Sequence, residues 1–259
     1  MRRIEVRNHG FSTIHGNWFL LPQQTNRFHR YYSGRLYYLN NGEKLEVILG
    51  HIYFFPQNLE FLPHYDLDCD IKQNYIDFFS FPVVFSDSII DIDPKEHPLV
   101  AQAVDLCFKI SDKYNITQKE EYAEILETAV LQALNCIRLE FPIHFSKNAR
   151  INNAIEYIHQ NYRQDINLEQ LAKKAYCAKN YFVKLFKQEM RCTPYQYLKN
   201  YRFTIAQELL RKGSNVKDVA KETGYSDAYA FSAAFYNQFG IYPSVYQAAQ
   251  NQKKKGDKK

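Results

Sequence analysis

LEQLAKKA (168–175), a short break, KNYFVKLF (179–186), a Thr193-Pro194 step and Tyr197 form one pattern. VKDVAKET (216–223), a break one residue longer, AYAFSAAF (228–235), Pro243 and Tyr246 repeat it. Leu171-Ala172 corresponds to Val219-Ala220, Phe182 to Phe231 and Phe186 to Phe235. A short helix, a tight turn and a second helix with buried aromatic residues is the helix-turn-helix pattern. Two copies in tandem predict a chain that reads double-stranded DNA in two grooves.

The ends of these helices are also written in the sequence. Asn167 precedes the first apolar run and Gln170 stands three residues on, which predicts a capping box and a helix from Leu168. Asn215 with Asp218 repeats the arrangement, and Asp227 is placed to cap the second helix of copy two. Copy one has Ala178 at that position, and Tyr176 where copy two has Gly224, so it is the less regular hairpin.

In the helix from Lys179, periodicity assigns Tyr181, Phe182, Leu185 and Phe186 to the buried face. Lys179, Asn180, Val183, Lys184 and Lys187 are left outside. Asn pairs with adenine, Lys reaches guanine, and Val packs on a thymine methyl. The helix from Pro194 to about Arg211 would be ~27 Å long. With its flanking turns it sets the two reading helices about one DNA turn apart, roughly 34 Å.

Outward from this region the composition changes. Residues 150–259 hold 19 Lys and Arg against 9 Asp and Glu, whereas residues 1–149 hold 14 against 19. Only the C-terminal half is expected to meet a polyanion. Residues 142–149 are taken as a linker, 150–250 as the DNA-binding domain and 251–259 as a disordered basic tail. Residues 99–114 and 119–141 read as helices, the second stopped by Pro142. Residues 11–82 read as short aromatic strands, with Asn41-Gly42 as a hairpin turn. Five scattered cysteines without a CxxC fit a reducing compartment. No signal peptide or membrane span is visible, so a cytoplasmic location is expected.

The stretches YFVKLFKQE (181–189), TPYQYLKNYR (193–202), VKDVAKETGYSD (216–227), FSAAF (231–235) and FGIYPSVY (239–246) resemble the AraC/XylS family of bacterial transcription regulators. The resemblance implies that Asn180, Val183 and Lys184 face bases in one groove, and Ala228, Tyr229, Ser232 and Ala233 in the next. Lys179, Lys187 and Arg202 are expected at phosphates. The chain departs from the family pattern at Ala233, where many members carry Arg, and at Tyr236 and Asn237, where they carry basic residues.

HIYFFPQNLEF (51–61) resembles the cupin-like sensor domain of such regulators. The expected fold is therefore α+β: a cupin-like β-barrel over 1–94, a helical dimerisation segment over 95–145, and an all-α double helix-turn-helix domain. The resemblance implies a small effector in the barrel and a homodimer formed through the helices, with Leu126 and Ala133 as contacts to test. RNA polymerase is a further partner if the chain activates. Arg27, His29, Tyr38, Tyr75, Asp77 and Phe79 are the candidate effector ligands. His29, His51 and His64 are isolated and no HxH pair occurs, so no metal and no cofactor are expected. An enzyme is not expected either. A cupin-type enzyme with an appended DNA-binding module, and a regulator whose barrel only dimerises, remain as alternatives.

Overall fold

The computed structural model describes residues 2–14, 25–40, 42–57, 59, 61–66, 68–117 and 119–256. Asn41 of the predicted hairpin turn lies outside them, as do residues 58 and 60 of the cupin-like stretch and 257–259 of the tail. The chain forms two compact units; of the described residues, 2–14 and 25–147 belong to unit 1 and 148–256 to unit 2.

Unit 1 opens with β1 (Arg3–Ile14), β2 (Asn26–Ser33), β3 (Leu36–Asn40), β4 (Glu43–Glu46), β5 (Ile52–Phe55) and β6 (Leu62–Tyr65). It continues with β7 (Ile71–Phe81), β8 (Val84–Phe85), β9 (Ile90–Ile92), α1 (Pro98–Thr117), α2 (Glu120–Glu140) and β10 (His144–Phe145). The strands form a five-stranded sheet in the order β1-β7-β2-β5-β9, a three-stranded sheet β4-β3-β6 and a pair β10-β8. The expected closed cupin-like barrel is not what forms. At the outer edge of β1 the place of a further strand is taken by α1 and α2. The Val6 amide donates to Glu127 Oε1 at 3.2 Å, Arg2 Nη1 to Asn135 Oδ1 at 2.9 Å, and His9 Nδ1 lies 2.8 Å from Ser111 Oγ. Helices that cover a sheet edge remove the need to close it.

One face of the large sheet packs on these helices. Phe28, Ile52, Phe54, Ile76 and Phe78 join Val104, Phe108, Leu126, Val130, Ala133 and Ile137 in one apolar core. Leu126 and Ala133, expected at a dimer contact, are thus buried within their own subunit. The expected linker is shorter than 142–149: His144-Phe145 pairs with Phe85-Val84, and the Ser146 amide donates to Val83 O at 2.7 Å.

Unit 2 is α3 (Ala149–Asn161), α4 (Leu168–Lys174), α5 (Lys179–Met190), α6 (Pro194–Lys212), α7 (Val216–Glu222), α8 (Ala228–Phe239) and α9 (Pro243–Gly256). The backbone is helical to Gly256, where charge density predicts disorder from residue 251. Gln and Lys are good helix formers and extend a helix that Pro243 has started. Phe203, Ala206, Leu210, Val219, Phe231, Phe235 and Tyr246 make the core of the second helix-turn-helix.

Candidate nucleic-acid interface and effector site

In the first motif, the Asn167 side chain accepts from the Gln170 amide at 2.9 Å, and Gln170 Oε1 accepts from the Asn167 amide at 2.9 Å. This is the predicted capping box. The turn passes through Tyr176 at φ 51°, a left-handed conformation unusual for a side chain of this size. No side chain caps Ala178, so the amides that open α5 lack the partner a polar residue would supply.

Phe182, Phe186 and Met190 fix α5 in the core, with Leu185 half-buried. Tyr181, expected beside them, is 52% exposed. It precedes Phe182 by one residue, and helical spacing at i+3 and i+7 sets it on the same face as the exposed Lys184 and Gln188. The outer face is therefore Lys179, Asn180, Tyr181, Lys184, Lys187 and Gln188, with Val183 half-buried at its margin. Lys179 Nζ lies 2.8 Å from Glu169 Oε1 and holds that carboxyl below its ordinary range. Among the described residues, Lys184 and Lys187 make no ion pair.

The second motif repeats the geometry with different chemistry. Asn215 Oδ1 accepts from the Asp218 amide at 2.9 Å, and Gly224 takes the left-handed turn position at φ 76°. Asp227 Oδ1 accepts from the Ala230 amide at 2.8 Å. That amide, with the Ser226 hydroxyl, holds the Asp227 carboxyl low. On α8, Phe231 and Phe235 are buried, while Tyr229, Ala233, Tyr236 and Asn237 are exposed. Ala228 and Ser232 are half-buried, and the Ser232 hydroxyl donates to Ala228 O at 2.7 Å, so its proton is committed within the helix.

Arg202, expected at a phosphate, is part-buried and braces the fold. Its Nε donates to Tyr162 O and its Nη2 to Gln164 O, both at 2.8 Å, and the guanidinium lies 6.0 Å from the Tyr225 ring. Burial lowers its affinity for a proton and raises the Tyr225 hydroxyl to about 12. Sequence reading missed this because the basic residue is exposed in pattern but folds back onto the end of α3.

In unit 1, strand register gathers the candidate effector residues. Asp77 sits between Asn8 and Arg27, Tyr75 between Gly10 and His29, and Gln73 between Ser12 and Tyr31. Arg27 and His29 also pair with Phe55 and Tyr53 on β5. Alternation then puts Arg27, His29, Tyr75, Asp77 and Phe79 on the sheet face opposite the helices. Tyr38 comes to this layer from β3: its hydroxyl meets that of Tyr31, and its ring lies 4.8 Å from Phe55 and 5.4 Å from Phe61.

The layer is polar yet buried. Arg27 Nε stands 3.5 Å from Asp77 Oδ1, and Asn8 Nδ2 donates to Asp77 Oδ2 at 3.2 Å. His29 Nδ1 lies 2.7 Å from Tyr31 OH and 3.0 Å from Gln73 Oε1. Burial, then the Arg27 charge, push the His29 ring down to about 3, so it is neutral at physiological pH. Burial raises the Tyr38 hydroxyl to about 12 and holds that of Tyr31 well above its ordinary value too. Asn8, Tyr31, Tyr53 and Gln73 belong to the layer and were not singled out from sequence; two-residue alternation along β2 and β7 is the signal that finds them. Among the described residues, no three His, Cys, Asp or Glu side chains come together as a metal site.

Comparison with known proteins agrees with unit 2. A family profile described as a helix-turn-helix domain matches residues 171–249. The lactose operon transcription activator of Staphylococcus xylosus is 26% identical over 225 residues, covering 83% of this chain and 78% of that one. The HTH-type transcriptional regulator AlkR of Acinetobacter baylyi is 33% identical over 98 residues, 38% of this chain and 32% of that one. ToxT from Vibrio cholerae O395 shares the fold with a TM-score of 0.63 at 11% identity, over 96% of this chain and 99% of that one. The tandem motif and these likenesses define a helix-turn-helix DNA-binding domain, and the chain is a DNA-binding transcription regulator. Its helix-turn-helix domain, matched over residues 171–249, is of the AraC type. No helix among the described residues is long and apolar enough to cross a membrane.

Proposed function

We propose that this regulator responds to a small organic effector held in unit 1, and not to a metal or a bound cofactor. The observation that carries the proposal is the buried polar layer. A sheet face packed inside a domain is ordinarily apolar, because a buried polar group costs stability unless it is bonded. Here Arg27, His29, Tyr38, Tyr75 and Asp77 present convergent polar groups among Phe55, Phe61 and Phe79, the mix found in ligand sites. In unit 2, Asn180, Val183 and Lys184 face bases, while Lys179 and Lys187 neutralise phosphates. Similarity to a lactose operon activator over most of the chain supports activation as the mode, with RNA polymerase as the further partner. A cytoplasmic location goes with that role.

A homodimer is also proposed, because paired subunits match repeated DNA sites. Its contact is not the buried Leu126 and Ala133 but the outer face of α2, where Ile125 and Leu139 are exposed.

The effector proposal is tested by thermal unfolding of the full chain against sugars, fatty acids and aromatic acids. A ligand at a hundredfold excess over its Kd raises folded-state stability by about 2.7 kcal/mol. The expected hit also changes affinity for DNA, and Asp77→Asn and His29→Gln abolish both effects. A hit that survives both substitutions places the effector elsewhere.

A further inference from the structure

The two reading helices have opposite chemistry. The exposed face of α5 carries Lys184 and Lys187 without ion pairs, and its N-terminus has no side-chain cap. α8 holds no Lys or Arg among its twelve residues, AYAFSAAFYNQF. Its N-terminus is occupied by the Asp227 carboxylate, which already takes the Ala230 amide. So α8 offers a phosphate no cation, and the Asp227 carboxylate at its start repels one.

What α8 does present is apolar surface. Tyr229 is 86% exposed, and Ala233, also exposed, stands one turn further on. Residues four apart on a helix are neighbours, about 5–6 Å between their Cβ atoms. Further along, Tyr236 is stacked on Tyr242, with ring centroids 4.7 Å apart. An exposed tyrosine and alanine in the first two turns of a reading helix suit one feature of the major groove, the 5-methyl group of thymine. The exposed Lys217 and Lys221 on the preceding α7 supply the positive charge that seats the motif on the backbone.

We infer that the two motifs divide the work: α5 anchors and reads by charge and hydrogen bonds, whereas α8 reads thymine methyls through Tyr229 and Ala233. The inference rests on the DNA-binding reading and adds the chemistry of the second half-site.

The test selects a preferred duplex for the full chain from a random-sequence library. That duplex is then remade with deoxyuridine in place of thymidine in one half, in the other, and in both. Uracil pairs as thymine does and lacks only the methyl. The expected result is a larger loss in one half than in the other, about fourfold for each contacted methyl, the worth of one buried methyl-sized group; on α5 only the half-buried Val183 is placed to meet a methyl. The salt dependence of binding stays unchanged. Tyr229→Ala loses affinity on thymine DNA and little on the uracil duplex. The inference falls if neither half responds to uracil by more than about twofold, or if Tyr229→Ala costs the same on both duplexes. A library that yields no preferred sequence overturns the regulator reading itself, and this inference with it.

Discussion

Lys184 and Lys187 stand three residues apart on one exposed helix face, yet different roles are expected of them. Lys184→Ala and Asn180→Ala should each reduce discrimination between the selected duplex and random DNA by roughly 1–3 kcal/mol. Lys187→Ala should weaken both DNAs about equally, because phosphates carry no sequence. Competition binding separates the outcomes, and equal losses from Lys184→Ala would mean that a different face of α5 meets the bases. In unit 1, His29 ties stability to pH. Between its ordinary value of 6.5 and about 3, the unfolded chain takes up a proton at this residue that the folded chain refuses. Its contribution is present above pH 6.5 and is lost as pH falls, at about 1.4 kcal/mol per pH unit. The groups around it, Arg27, Tyr31, Gln73 and Tyr75, are unchanged by the substitution His29→Gln. Urea unfolding of both proteins at pH 7 and pH 5 should show the gap between them differing by about 2 kcal/mol; the same gap at both pH values would contradict a buried neutral ring. These residues were only partly legible in sequence. The strand pattern picked out Arg27, His29 and Asp77, and the same alternation extends their face to Tyr31 on β2 and Gln73 on β7; which residues of the two strands stand opposite each other was not legible, since that depends on register.

At the scale of the element, the sequence was most readable where a cap or turn has a single chemical solution. Asn167, Asn215 and Asp227 each accept from the amide three residues on. Thr193, which caps α6 and forms a capping box with Gln196, was readable by the same rule. Tyr181 was not, because a tyrosine in an apolar run carries no mark of which side it takes. The uncapped α5 allows a test in the opposite direction. Ala178 has the extended backbone of a cap residue, at φ −65° and ψ 144°. Ala178→Asp should therefore stabilise the chain by about 1 kcal/mol, while its carboxylate weakens DNA binding at the same helix end. A variant that is stabilised and binds DNA as well as before would show that the start of α5 lies away from the backbone. Gly224→Ala should destabilise the second motif, since a Cβ there would sit 2.7 Å from Arg202 Nη2 and 2.9 Å from Arg163 O, in a left-handed conformation. A melting temperature equal to the original would contradict the bracing role given to Arg202.

The whole molecule separates into an acidic N-terminal unit and a basic DNA-binding unit, and the charge of the two halves of the sequence shows that division. The β-barrel expected over 1–94 does not close, because strand spacing does not reveal whether an edge is met by another strand or by helices. The outer face of α2 predicts a dimer whose contact centres on Ile125 and Leu139. Sedimentation of the full chain at micromolar concentration should give a dimer that Ile125→Glu with Leu139→Glu converts to monomer; a monomer in the unmodified protein, with and without DNA, would contradict it. The claim on which all of this stands is that unit 2 holds duplex DNA through charge and reads it through α5 and α8. It is tested most directly by titrating salt into the full chain bound to its selected duplex. The account predicts that log K falls linearly with log salt concentration, at about −0.9 per neutralised phosphate, and that preference over random DNA persists along the line. Binding that does not change with salt, or that is equal on the two DNAs at every salt concentration, would contradict it.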